Sequence, residues 1–184
     1  MKVFYKKVII ILLFYIIFTN YFKGYYFYYP SIPVYTNNKK ELEVVKNKIR
    51  NRNVEDINFF YKTNESVAYA FLPLVNETIN DLEEIATSQN NIILFFKYLI
   101  NRRRPWQEDK NIKPINIETA QTPAYPAGHA YQAYYLAKKL SKKYPKKKNI
   151  LIKTAIRCDD CRVKAGLHYS SDGEFARKLV DLLN

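Results

Sequence analysis

Residues 38–50, NKKELEVVKNKIR, set Leu42, Val45 and Ile49 three and four positions apart among strong helix formers, the pattern of an amphipathic helix. Similar spacing recurs over Glu65 to Ile85, Asn90 to Arg103, Ala130 to Lys143, Lys148 to about Lys164 and Gly173 to Leu183. No stretch sustains the period-two alternation of a half-buried strand, so the chain is expected to be an all-α helical bundle. Pro73 should kink or split the helix that contains it, because proline removes a helical hydrogen bond and clashes with the preceding turn. Between Pro105 and Pro126, four prolines and little periodicity predict an irregular loop. A loop of about 20 residues in a compact domain is often functional.

Of the 184 residues, 48% are hydrophobic and 26% charged, which excludes global disorder and a polytopic membrane protein. With 2 cysteines, a disulfide-stapled miniprotein and a thiolate-rich zinc site are excluded too. The 30 Lys and Arg against 17 Asp and Glu give a net charge of +13, which favours anionic partners without choosing among them. Nucleic acid is not the expected partner, because Lys138 to Lys148 reads as a solvated helix end and loop.

At the N-terminus, Val8 to Phe18 (VIIILLFYIIF) is an uncharged apolar run preceded by Lys2, Lys6 and Lys7. That is the layout of an export or anchor signal. The following Tyr and Phe residues resemble an interfacial belt, and no small-residue cleavage pattern follows. Residues 1–29 are therefore expected to be one uncleaved anchor helix, with a cleaved signal peptide and a secreted product as the alternative. The lysines before the run place residues 30–184 outside the cytoplasm or in a lumen, on a single-pass membrane protein. Asn64-Glu65-Ser66 and Asn76-Glu77-Thr78 fit the glycan-acceptor pattern, should a eukaryotic secretory pathway handle the chain.

Three segments carry residues suited to chemistry. In Lys97-Tyr-Leu-Ile-Asn-Arg-Arg-Arg104-Pro105, the seven-residue spacing puts Lys97 and Arg104 within roughly 20° of each other on a helix, so both cations face one side. Pro105 is expected to end that helix. In Tyr125-Pro126-Ala127-Gly128-His129, Gly128 permits close backbone approach just before a helix whose N-terminal amides suit an anion. In Arg162-Val-Lys-Ala-Gly-Leu-His168-Tyr-Ser-Ser-Asp172, a helical turn would let Asp172 hold one nitrogen of His168, with a break near Gly166 letting Arg162 approach. Each segment alone has a plain alternative: a solvated basic face, or a structural histidine. Together they hold both histidines of the chain, with cations able to bind one anion. Cys158 and Cys161 form a CxxC that reads as two helical cysteines one turn apart, the alternatives being a redox pair or a disulfide.

Lys97-x6-Arg104-Pro105, Pro126-Ala-Gly-His129 and Arg162-x5-His168-x3-Asp172 closely resemble the three signature motifs of the type 2 phosphatidic acid phosphatase superfamily, which includes bacterial acid phosphatases and vanadium haloperoxidases. The resemblance implies an all-helical catalytic domain of the acid phosphatase and haloperoxidase type over residues 30–184. It implies hydrolysis of phosphomonoesters or lipid phosphates through a phosphohistidine, with His168 as nucleophile, Asp172 orienting it and His129 as general acid. Lys97, Arg104, Arg162 and the Gly128 amide would bind the phosphate oxygens, and no metal or other cofactor is required. Where the family usually has Ser, this chain has Ala127, which implies weaker anion binding; Cys161 likewise replaces the usual Ser before Arg162. Two further readings make different demands. A vanadium haloperoxidase would hold vanadate as cofactor in the same pocket, and a noncatalytic basic protein would bind an acidic surface and leave the histidines dispensable.

Overall fold

The computed structural model describes residues 34–184; the expected anchor over residues 1–29 lies outside them. The described residues form helices and no strand. In chain order these are α1 (Asn38–Arg50), α2 (Val54–Lys62), α3 (Ala68–Phe71), a 3-10 turn (Leu72–Leu74), α4 (Ile79–Thr87), α5 (Asn90–Ile100), α6 (Pro105–Glu108), α7 (Gly128–Lys143), a second 3-10 turn (Pro145–Lys147), α8 (Lys148–Lys164) and α9 (Ser170–Leu183). Among the described residues, no helix is long and apolar enough to cross a membrane.

Local chemistry accounts for several boundaries. Asn53 and Asp56 cap α2 reciprocally, and Thr78 and Asp81 do the same for α4, satisfying amides that a helix start leaves open. The helix expected over Glu65 to Ile85 is split at Pro73, which lies in the 3-10 turn between α3 and α4. Helix α2 was not expected; its Asn53-x-x-Asp56 start is the signal that marks it.

The central helix is α7, which packs on α8, α9, α4 and α5. Its buried alanines Ala130, Ala133 and Ala137 leave room for close neighbours, and Leu136 and Leu140 fill the space toward Leu151, Ala155 and Cys158 of α8. Burying a leucine side chain contributes about 1.5–3 kcal/mol, so this seam fixes the relative placement of α7 and α8. Those two helices carry His129 at one N-terminus and Arg162 near one C-terminus. Cys158 faces this interior and Cys161 lies beside Thr63, both as free, buried thiols whose ionisation burial disfavours. They are helix-packing residues, neither a disulfide nor an exposed redox pair.

Candidate active site

The helix expected to run to Arg103 stops at Ile100. Asn101 adopts a left-handed conformation with φ of 55°, which turns the chain sharply. Lys97 and Arg104 therefore do not share one helix face. Arg104 is extended, as the residue before proline prefers, and Pro105 begins α6 rather than only ending a helix. The two cations still converge, because the turn at Asn101 redirects Arg104 toward the same cavity.

That cavity has a volume of about 230 Å³, and its wall includes Lys97, Arg104, Gly128, His129, Arg162 and His168. Every sequence-predicted site residue except Asp172 lines it, and Asp172 stands directly behind His168. Gly166, with φ of 77°, makes the expected break after α8 and lets the chain return past Arg162. His168 lies in the connection before α9, not on a shared helical turn with Asp172 as expected. Asp172 sits in the first turn of α9, where its Oδ2 accepts from the Tyr169 amide at 2.9 Å and from His168 Nδ1 at 3.0 Å.

Those bonds settle the tautomer of His168. Asp172 is ionised: burial opposes its charge, but the Arg102 guanidinium and His168 outweigh that and keep the carboxyl below its ordinary range. A carboxylate can only accept, so His168 Nδ1 carries hydrogen and Nε2 presents its lone pair. Nε2 lies 3.1 Å from Arg104 Nη1, inside the cavity wall. Burial and the nearby Arg104 push the His168 pKa down to about 3 against the pull of Asp172, so the ring stays neutral near pH 7.

His129 occupies the first turn of α7. Its Nε2 lies 2.9 Å from the Asn64 carbonyl oxygen, so Nε2 donates and Nδ1 is left to exchange a proton with a bound group. Burial and the Arg162 charge hold its pKa well below the ordinary histidine value. Lys97 is depressed in the same way by burial and Arg104, while its Nζ donates to the Pro123 carbonyl at 2.6 Å. These shifts share one cause: several buried cationic groups crowd a cavity that holds little negative charge of its own. A bound anion relieves that imbalance.

Arg104 is aimed by hydrogen bonds from Nε to the Thr122 carbonyl at 2.8 Å and from Nη1 to the Leu167 carbonyl at 3.0 Å. Arg162 is fully buried above the Phe60 ring and donates to Asn64 Oδ1 at 3.3 Å, to Thr63 Oγ1 at 3.0 Å and to the Thr63 carbonyl. Its Nε is buried without a hydrogen-bond partner, although a buried donor left open costs about 1–3 kcal/mol. At the start of α7 no side chain caps the helix, which leaves the amides around Gly128 open to an acceptor. Ala127, where a serine is usual in the resembled motif, is buried against apolar neighbours and does not line the cavity.

Sequence reasoning missed Thr63, Asn64 and Arg102. Asn64 is 7% exposed and engaged with Thr119, Arg162 and His129, so it is not available as a glycan acceptor in the folded protein. Arg102 stood in a run of three arginines with no feature to single it out; it supports Asp172 from behind. Among the described residues, no three His, Cys, Asp or Glu side chains gather to hold a metal ion. No protein-family model matches the chain, and no curated protein matches it.

Proposed function

We propose that the protein is a phosphatase that hydrolyses phosphomonoesters or lipid phosphates through a phosphohistidine, with the helical fold and chemistry of the type 2 phosphatidic acid phosphatase superfamily that its motifs resemble. The observation that carries this reading is the Asp172–His168 pair, which turns an unprotonated Nε2 toward a cavity walled by Lys97, Arg104, Arg162 and His129.

The proposed steps use that geometry. A phosphoryl group enters between the three cations and the open α7 amides, which neutralise its non-bridging oxygens. Arg104 Nη1 transfers its hydrogen bond from His168 Nε2 to a phosphate oxygen, which frees the lone pair. Nε2 attacks phosphorus, the bond to the alcohol oxygen breaks, and that oxygen takes a proton from His129 Nδ1. Asp172 stabilises the charge that His168 acquires. Water then attacks the phosphohistidine, giving its proton to His129, and phosphate leaves with His168 restored. Because His129 is neutral in the empty cavity, its proton arrives with the substrate: the phosphate charge offsets Arg162 and raises the affinity of Nδ1 for a proton. The scheme routes no step through a metal.

We further propose that residues 1–29 tether this domain to a membrane, on its extracytoplasmic or lumenal side, which would bring lipid phosphates within reach. Purified protein is expected to release phosphate from nitrophenyl phosphate or phosphatidic acid, and His168→Ala is expected to abolish release. Halide oxidation by peroxide after vanadate loading, without phosphate release, would instead support a haloperoxidase. Salt-sensitive binding to acidic surfaces that survives loss of both histidines, without turnover, would support a noncatalytic basic protein.

A further inference from the structure

Arg102 has no place in the steps above and does not line the cavity, yet its side chain is fully buried. Its Nη1 donates to Asp172 Oδ1 at 2.6 Å, the oxygen that His168 does not use, and to Ser171 Oγ at 2.7 Å. Its Nη2 donates to Glu41 Oε2 at 2.6 Å and to Asn38 Oδ1 at 2.8 Å, and Nε shares Asn38 Oδ1 at 3.1 Å. The guanidinium carbon lies 3.8 Å from the Tyr169 ring centroid and 4.2 Å from that of Tyr35. Glu41 also accepts from the Ser171 amide at 2.9 Å and the Ser171 hydroxyl at 2.6 Å. The first helix after the N-terminal segment is thus joined through one cation to the carboxylate behind the candidate nucleophile.

A buried charge pair is an inefficient way to stabilise a fold, since well-packed apolar groups do as well or better. It does fix direction. With Oδ1 taken by Arg102 and Oδ2 by His168 and the Tyr169 amide, the Asp172 carboxylate has one orientation that satisfies all its donors. We propose that Arg102, anchored by Glu41 of α1, is a positioning residue: it locks Asp172 so that His168 Nε2 points into the cavity. This rests on the phosphatase reading for its kinetic consequence and on geometry alone for its structural one.

The test uses the full chain with Arg102→Ala and Glu41→Gln, read by steady-state kinetics on nitrophenyl phosphate and by the downfield imidazole N–H proton resonance that His168→Ala removes. For Arg102→Ala, kcat is expected to fall by about 10- to 100-fold, the scale of a small misplacement of a reacting group. KM should stay within about twofold, because the substrate contacts remain. Added guanidinium ion should recover part of the lost kcat, and the imidazole resonance should shift or broaden. An unchanged kcat with an unmoved resonance overturns the proposal, as does a raised KM at constant kcat. If Arg102→Ala does not fold, Glu41→Gln decides by the same readouts, since it keeps the side chain's size while removing the charge and one of the two acceptor oxygens that hold Arg102 and Ser171. A wild type without turnover defeats the phosphatase reading, whereas the resonance in the variants still shows whether Arg102 orients the pair.

Discussion

Replacing Asp172 with Asn changes one atom and places conflicting demands on it. Oδ1 of Asp172 accepts from Arg102 Nη1, while Oδ2 accepts from His168 Nδ1 and from the Tyr169 amide. Asparagine has a single acceptor oxygen. Turned toward Arg102, it points its NH2 group at the Tyr169 N–H and at His168, and the imidazole must then move its proton to Nε2. Turned the other way, it keeps the histidine tautomer and sets an amide donor against a buried guanidinium. An unsatisfied buried donor costs about 1–3 kcal/mol, and stripping a buried cation of a partner about 3–5 kcal/mol. Glu41 remains on Arg102 at 2.6 Å, which keeps the loss near the lower end of that range. A loss of about 3 kcal/mol lowers Tm by roughly 6–12 °C in a domain of this size. Arg102 is the stronger partner, so the first orientation prevails and the nucleophilic lone pair is lost. In Ser-His-Asp catalysis a wrong tautomer alone lowers turnover roughly ten-thousand-fold. The assay is kcat on nitrophenyl phosphate beside a thermal melt of the same preparation. A folded Asp172→Asn variant with kcat within about threefold of wild type would refute the role given to the pair.

Other perturbations reach separate parts of the account. His129→Ala should lower kcat by about 10²–10⁴-fold on alkyl phosphates and far less on nitrophenyl phosphate, whose leaving group needs no proton; equal losses on both would argue against a general acid. His168 titrates near 3 in the fold against about 6.5 when unfolded, so the unfolded chain binds the extra proton between those values. Stability should therefore fall as pH drops from about 6.5 toward 3, and less steeply in His168→Gln, as followed by urea melts across that range. Asp159 behaves oppositely: burial raises its carboxyl to about 7, so the fold holds a proton that the unfolded chain has released, and stability falls as pH rises from the ordinary carboxylate range to about 7. Asp159→Asn should raise Tm at pH 8 by roughly 2–8 °C, for about 1–2 kcal/mol, with kcat unchanged. A Cβ on Gly173 would fall 1.9 Å from Asp159 Oδ1, so Gly173→Ala should cost about 1–3 kcal/mol in a denaturant melt.

The candidate site was legible in the sequence because its chemistry lies in rare residue types. Two histidines in separate segments, one of them with Arg162 and Asp172 in its own motif, together with Lys97 and Arg104 upstream, leave few ways to assemble an anion cavity. The helices were legible for a different reason: the apolar spacing of α1 and the alanine-rich face of α7 repeat with the helical period. What stayed hidden depended on single backbone turns. Asparagine tolerates a left-handed conformation better than most residues, but inside an apolar run of helical period it does not show that the helix ends there, and that one residue decides whether Arg102 and Arg104 lie on a helix surface or point inward to different partners. Glu41 likewise reads as a surface charge balancing Lys39 and Lys40. It is buried because α1 packs against the start of α9, a contact between elements about 130 residues apart. Short local patterns carry no information about such contacts.

The most direct measurement is to mix the protein with phosphomonoester, quench under alkaline denaturing conditions that preserve phosphohistidine, and locate the added phosphoryl group by mass spectrometry. A phosphoryl group on His168 that builds up and decays within the turnover time, and is missing in His168→Ala, is the predicted result. Unimpaired phosphate release by His168→Ala, or a phosphoryl group carried by another residue, would contradict the account.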